Sequence, residues 1–113
     1  MNIDLNDPDV VVDLLDDIVA GKEGFIYNPG LKERCRYFDN GSPSCIVGHV
    51  IDWAGIEFDP DFNVTSFHLI ADHLGVANPL TVKMLREAQA KQDNGGTWGA
   101  ARDAARYVRS HNA

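Results

Sequence analysis

The sequence predicts a mainly α fold, a compact bundle of about five short helices with a small β-hairpin between the first two. Residues 1–113 read as a single globular helical domain. Three observations carry this. Apolar residues recur at three- and four-residue spacing through most of the chain. Cap-and-proline pairs open segments, as in Asp7-Pro8 and Asn78-Pro79, and glycines close them. A hydrophobic content of 44% with 24% charged residues is that of a soluble chain able to bury one core.

Asp7 supplies a cap acceptor and Pro8 fits the first helical position, so the first helix runs from Pro8 to Ala20 and stops at Gly21. Val11, Leu14, Leu15, Ile18 and Val19 form its apolar face; Asp9, Asp13 and Asp16 line the other. Phe25-Ile26-Tyr27 reads as a short strand ended by Asn28-Pro29-Gly30. Cys35-Arg36-Tyr37-Phe38 reads as a second, turned at Asp39-Asn40-Gly41. Ser42 then caps a second helix, Pro43 opens it, and Gly55 closes it behind a face of Ile46, Val47, Val50, Ile51 and Ala54. After the loop at Asp59-Pro60-Asp61, Thr65 or Ser66 caps a short third helix carrying Phe67, Ile70, Ala71 and Leu74 up to Gly75. Asn78-Pro79 begins a fourth, with Leu80, Met84, Leu85 and Ala88, reaching the neighbourhood of Lys91. Asn94-Gly95-Gly96 breaks the chain and Thr97 caps the last helix. Its seam is Trp98, Ala101, Ala105 and Val108, with Arg102, Arg106 and Arg109 beside it.

Net charge is −7, unevenly spread. Residues 1–24 sum to −6, 25–56 to zero, 57–79 to −4 and 80–113 to +3. An acidic chain repels a phosphate backbone, so nucleic acid is an unlikely partner. No apolar run approaches the roughly 20 residues of a membrane span. The segment from Met1 to Asp7 is acidic where a signal peptide is basic, so a cytoplasmic setting is expected. In that reducing setting Cys35 and Cys45 read as free thiols. A hairpin turned at Asn40-Gly41 would also put Arg36, not Cys35, opposite Cys45.

The most informative stretch is Asn40-Gly41-Ser42-Pro43-Ser44-Cys45-Ile46-Val47-Gly48-His49. It places a thiol in the first turn of a helix, where partial positive charge acidifies it, with His49 over the same face. Asp52, three residues on, is positioned to orient that imidazole. Against a catalytic set of Cys45, His49 and Asp52 stands the predominance of helix after Cys45, which leaves no strands to deliver a base across a cleft. A buried structural cysteine is the favoured reading.

Other motifs are weaker. Cys45, His49, His68 and His73 are metal-ligand types, but His68 and His73 are five residues apart and no CxxC or HExxH is present. No metal or other cofactor is expected. Asp59-Pro60-Asp61-Phe62-Asn63 imitates the start of a calcium loop, yet Val64 and Ile70 stand where glycine and glutamate are needed. Gly95-Gly96-Thr97-Trp98 enters a helix without the lysine of a phosphate loop. The stripes Asp9, Asp13, Asp16 and Arg102, Arg106, Arg109 share a spacing, so the first and last helices are expected to be neighbours with these charges along their rim. The same six residues are the candidates for contact with a partner.

A helix opening Cys45-Ile46-Val47-Gly48, preceded by a glycine-rich hairpin, and a closing run Gln92-Asp93-Asn94-Gly95-Gly96-Thr97-Trp98-Gly99-Ala100-Ala101 together resemble a family of small actinobacterial and actinophage proteins. The chain departs from that pattern at His49, where alanine is expected, and at Gly95-Gly96. The resemblance implies a phage or actinobacterial origin and carries no activity with it. The functional expectation is therefore a small non-enzymatic phage accessory protein acting by protein–protein binding, with a host or phage protein as its partner. The alternatives are a thiol enzyme using Cys45 with His49 and a nucleic-acid-binding module using the last helix.

Overall fold

The strongest cap in the sequence works as written. In the computed structural model, which describes residues 3–27, 37–39, 42–57 and 71–111, α1 spans Pro8–Val19. Asp7 Oδ1 accepts the Asp9 amide at 2.9 Å, and Val11, Leu15 and Val19 are fully buried. A short antiparallel contact pairs β1, Phe38–Asp39, with β2, Ser42–Pro43. The remaining helices are α2, Ile46–Trp53, α3, Pro79–Asp93, and α4, Trp98–His111, with a 3₁₀ turn at Asp72–Leu74. The architecture is mainly helical, and one core cluster draws on all four helices.

The details correct the sequence reading in four places. The described residues hold four α-helices rather than five. Of the expected third helix only the last turn is described, as 3₁₀, and residues 58–70 lie outside the described set. The expected hairpin does not grow into a sheet. Among the described residues only Phe38 opposite Pro43 and Asp39 opposite Ser42 pair; Asn28-Pro29-Gly30, Cys35, Arg36, Asn40 and Gly41 lie outside that set. Phe25-Ile26-Tyr27 is not a strand; Ile26 makes a single bridge to Thr97. Finally, Ser42 and Pro43 do not start α2. They are held extended by Phe38 and Asp39, and the Ser44 amide donates to the Tyr37 carbonyl at 2.8 Å, so the helix begins at Ile46 with Cys45 as its cap. Local cap preference lost to tertiary pairing.

Two clasps bring distant segments onto the helices. Asn6 Oδ1 accepts the Ala77 and Asn78 amides at 2.6 and 2.9 Å, and Asn78 Nδ2 returns a bond to the Asn6 carbonyl at 2.8 Å. Asn78 also caps α3 through the Leu80 amide at 2.9 Å. The entry to α1 is thereby tied to the entry of α3. At the other clasp, the Trp98 amide donates to the Phe25 carbonyl at 2.8 Å and the Gly99 amide to the Glu23 carbonyl at 3.0 Å. The chain after α1 thus lies along the first turn of α4.

The turn between α3 and α4 follows its sequence. Gly95 takes φ +87°, a conformation that side chains strain to adopt, and the Thr97 hydroxyl accepts the Ala100 amide at 3.1 Å. Gly48 has a different purpose. A Cβ built there would lie 1.8 Å from the Tyr37 carbonyl oxygen, so α2 sits directly on the backbone ahead of β1. Gly48→Ala should therefore lower stability by about 3 kcal/mol, the upper end for overpacking, read from the urea midpoint. A loss of less than about 1 kcal/mol, typical of a tolerated core swap, would mean that residue 37 moves aside freely.

Candidate functional site

Cys45 caps α2 from within the core. It is fully buried, and its Sγ lies 3.5 Å from Gln89 Oε1 of α3 as a weak thiol donor. The thiol therefore sits at the cap rather than in the first turn. Its side chain makes no cap hydrogen bond to the α2 amides. Nothing in this placement gives a substrate a path to sulfur.

His49 meets the backbone of Cys45. Its Nδ1 lies 2.9 Å from the Cys45 carbonyl oxygen, which can only accept, so Nδ1 carries the proton. In the neutral ring the basic nitrogen is then Nε2, on the side away from Cys45. The ring packs edge-to-face on Trp98, centroids 5.1 Å apart at 73°. Asp52 is exposed and makes no hydrogen bond to His49 among the described residues. No hydrogen bond joins the side chains of Cys45, His49 and Asp52 among the described residues: the i,i+4 spacing brings the imidazole to the carbonyl of residue 45, and the sulfur meets Gln89 Oε1.

The residue that organises this region is Gln92, which the sequence offers only as the start of the closing run Gln92-Asp93-Asn94. It is 1% exposed. Its Oε1 accepts the Ile46 amide at 2.8 Å and the Trp98 indole N–H at 3.2 Å, while Nε2 donates to Asp93 Oδ1 at 3.0 Å. The Ile46 amide opens α2 and has no intrahelical acceptor, so a side chain from α3 supplies one. Trp98, 2% exposed, also meets Phe25 edge-on at 4.8 Å, and Lys22 Nζ stands 5.9 Å from its ring. No period or motif announces such a contact. The one available signal was a pair of amide side chains, Gln89 and Gln92, three residues apart on one helix face.

No known protein family, curated protein or solved structure matches this chain. Among the described residues no group of three His, Cys, Asp or Glu side chains is arranged to hold a metal. His68, the His73 side chain and Asp59-Pro60-Asp61 lie outside the described residues. No described helix is long and apolar enough to cross a membrane.

The charged stripes do meet. Arg106 Nη2 reaches Asp16 Oδ1 at 2.5 Å, with Arg102 Nε 3.8 Å from the same oxygen, and Arg109 pairs with Asp9. Asp13 is exposed and outside these pairs. Arg102 also pairs with its neighbour Asp103 at 3.2 Å. The three arginines are thus engaged within the fold. On the outer side of α3 and α4 an open groove of about 340 Å³ is lined by Lys83, Glu87, Ala104, Tyr107 and Val108.

These contacts differ in weight, and mutation should separate them. Gln92→Leu leaves a buried amide and an indole N–H without their acceptor, at about 1–3 kcal/mol each. A total loss of about 2–6 kcal/mol is expected in urea unfolding. Arg106→Ala removes a half-exposed pair and should cost less than about 1 kcal/mol, less still in high salt. The reverse ranking would make the charged rim, not the buried glutamine, the principal tie.

Proposed function

We propose that this protein acts by binding another protein, as an accessory factor of a phage or of its actinobacterial host. One observation carries the reading: among the described residues, Cys45, His49 and the arginines of α4 are engaged within the fold. Cys45 is sealed beneath α2 and α3, and His49 spends its N–H on a carbonyl. Arg102, Arg106 and Arg109 are met by the carboxylates of Asp16, Asp103 and Asp9. A thiol enzyme needs an open approach to sulfur, and a nucleic-acid module on the last helix needs its arginines free. Neither condition is favoured by these contacts.

Among the described residues Phe25, Trp53 and Tyr107 are exposed aromatics, and Tyr107 is the most exposed of them. Tyr107 is 63% exposed beside the α3–α4 groove, its ring stacked on His111 at 3.8 Å. Aromatic side chains of this kind anchor protein contacts because they bring much area at little entropy cost. With a net charge of −7, a basic partner is drawn in fastest, and its encounter slows with salt.

Two measurements test the reading. In a Cys35→Ser background, Cys45 should react with a thiol reagent only as fast as unfolding exposes it. Rapid reaction in the folded state would return the thiol-enzyme reading. In capture experiments from host lysate, a specific protein held by the wild type should be lost with Tyr107→Ala. Retention by that variant, with loss on Asp13→Asn, would move the contact to α1.

A further inference from the structure

We propose that Asn94 is a latent deamidation site whose reactivity is gated by the fold itself. The dipeptide Asn94-Gly95 is chemically suited to the reaction. The Gly95 backbone nitrogen attacks Cγ of Asn94; the new N–Cγ bond closes a five-membered succinimide. The Cγ–Nδ2 bond breaks, and Nδ2 leaves as ammonia, taking up the proton lost from Gly95. Water then opens the imide. Cleavage of the N–Cγ bond gives aspartate, and cleavage of the bond to the main-chain carbonyl gives isoaspartate. Glycine in the following position leaves the attacking nitrogen uncrowded.

Both residues are exposed, so water has access. What the fold withholds is the attacking geometry. The Gly95 N–H donates to the Gln92 carbonyl at 3.1 Å, which occupies the proton that must leave. Asn94 Nδ2 donates to the Ala90 carbonyl at 2.9 Å, which draws the side chain back along α3 and away from Gly95. Ring closure must break both bonds. At about fivefold for each ordinary hydrogen bond, the folded chain should react roughly 30-fold more slowly than the unfolded one.

The consequence of reaction reaches the core. The product adds negative charge beside Asp93 at the C-terminus of α3, where the helix dipole is already negative. It also removes the donor to Ala90, and isoaspartate lengthens the main chain within the turn that sets Trp98 against Gln92.

The test is a time course at mildly alkaline pH with the wild-type protein, folded and in denaturing urea. Peptide mapping separates aspartate and isoaspartate at residue 94 from any product at Asn40. The expected result is slow conversion at Asn94 in the folded chain and roughly 30-fold faster conversion in the unfolded one. At intermediate urea the rate should follow the unfolded fraction. Equal rates in the two states would overturn the gating, and no conversion at Asn94 in the unfolded chain would overturn the site.

Discussion

The side-chain oxygen of Gln92, Oε1, accepts two hydrogen bonds in the core, one from the amide that opens α2 and one from the indole that opens α4. Three helices therefore meet at one oxygen atom. A neutral amide suits this place for a physical reason. It has two acceptor sites on Oε1 for two buried donors, and two N–H donors on the other side, one of which binds Asp93 at the water-facing end of the helix. A hydrocarbon side chain would fill the space and leave both donors unpaired. An ionised carboxylate would accept both bonds but bring charge into a site that is 1% exposed. The surrounding packing conforms to this junction: Phe25 and His49 meet the Trp98 ring edge-on, and the chain after α1 is bonded to the first turn of α4.

What the sequence made legible was local. Asp7-Pro8, Asn78-Pro79 and Thr97 each carry their own cap chemistry, and the helices begin where those residues put them. The rim between α1 and α4 was legible too, because two stripes of opposite sign shared one spacing. Ser42-Pro43 carried the same local signature and misled, since pairing with β1 competes for those two residues and the start of α2 moves to Ile46. The Gln92 contacts were not legible because the partner at Ile46 lies 46 residues away. Asn6 reached Asn78 in the same way, across a separation that no periodicity records.

The geometry around Cys45 and His49 was half legible for a similar reason. Spacing of four residues says that two side chains share a helix face, and the His49 ring does lie over Cys45. It does not say whether the ring meets sulfur or carbonyl, nor which way the cap residue turns its own side chain. The C-x-x-G opening, Cys45 to Gly48, has a packing explanation. A small apolar group fits beneath α3 at one end, and absent Cβ bulk lets the Tyr37 backbone approach at the other. The motif is a docking geometry before it is a chemical one.

The Ile46 amide offers the most direct test of this picture. As the first residue of α2 it has no intrahelical acceptor, and such amides ordinarily exchange with solvent early. Bound to a buried glutamine oxygen, it should instead exchange only through global unfolding, with protection matching that of the slowest core amides in native-state hydrogen exchange. Exchange of the Ile46 amide at the rate of an uncapped first turn, while the amides of Val50 and Ile51 stay protected, would contradict it.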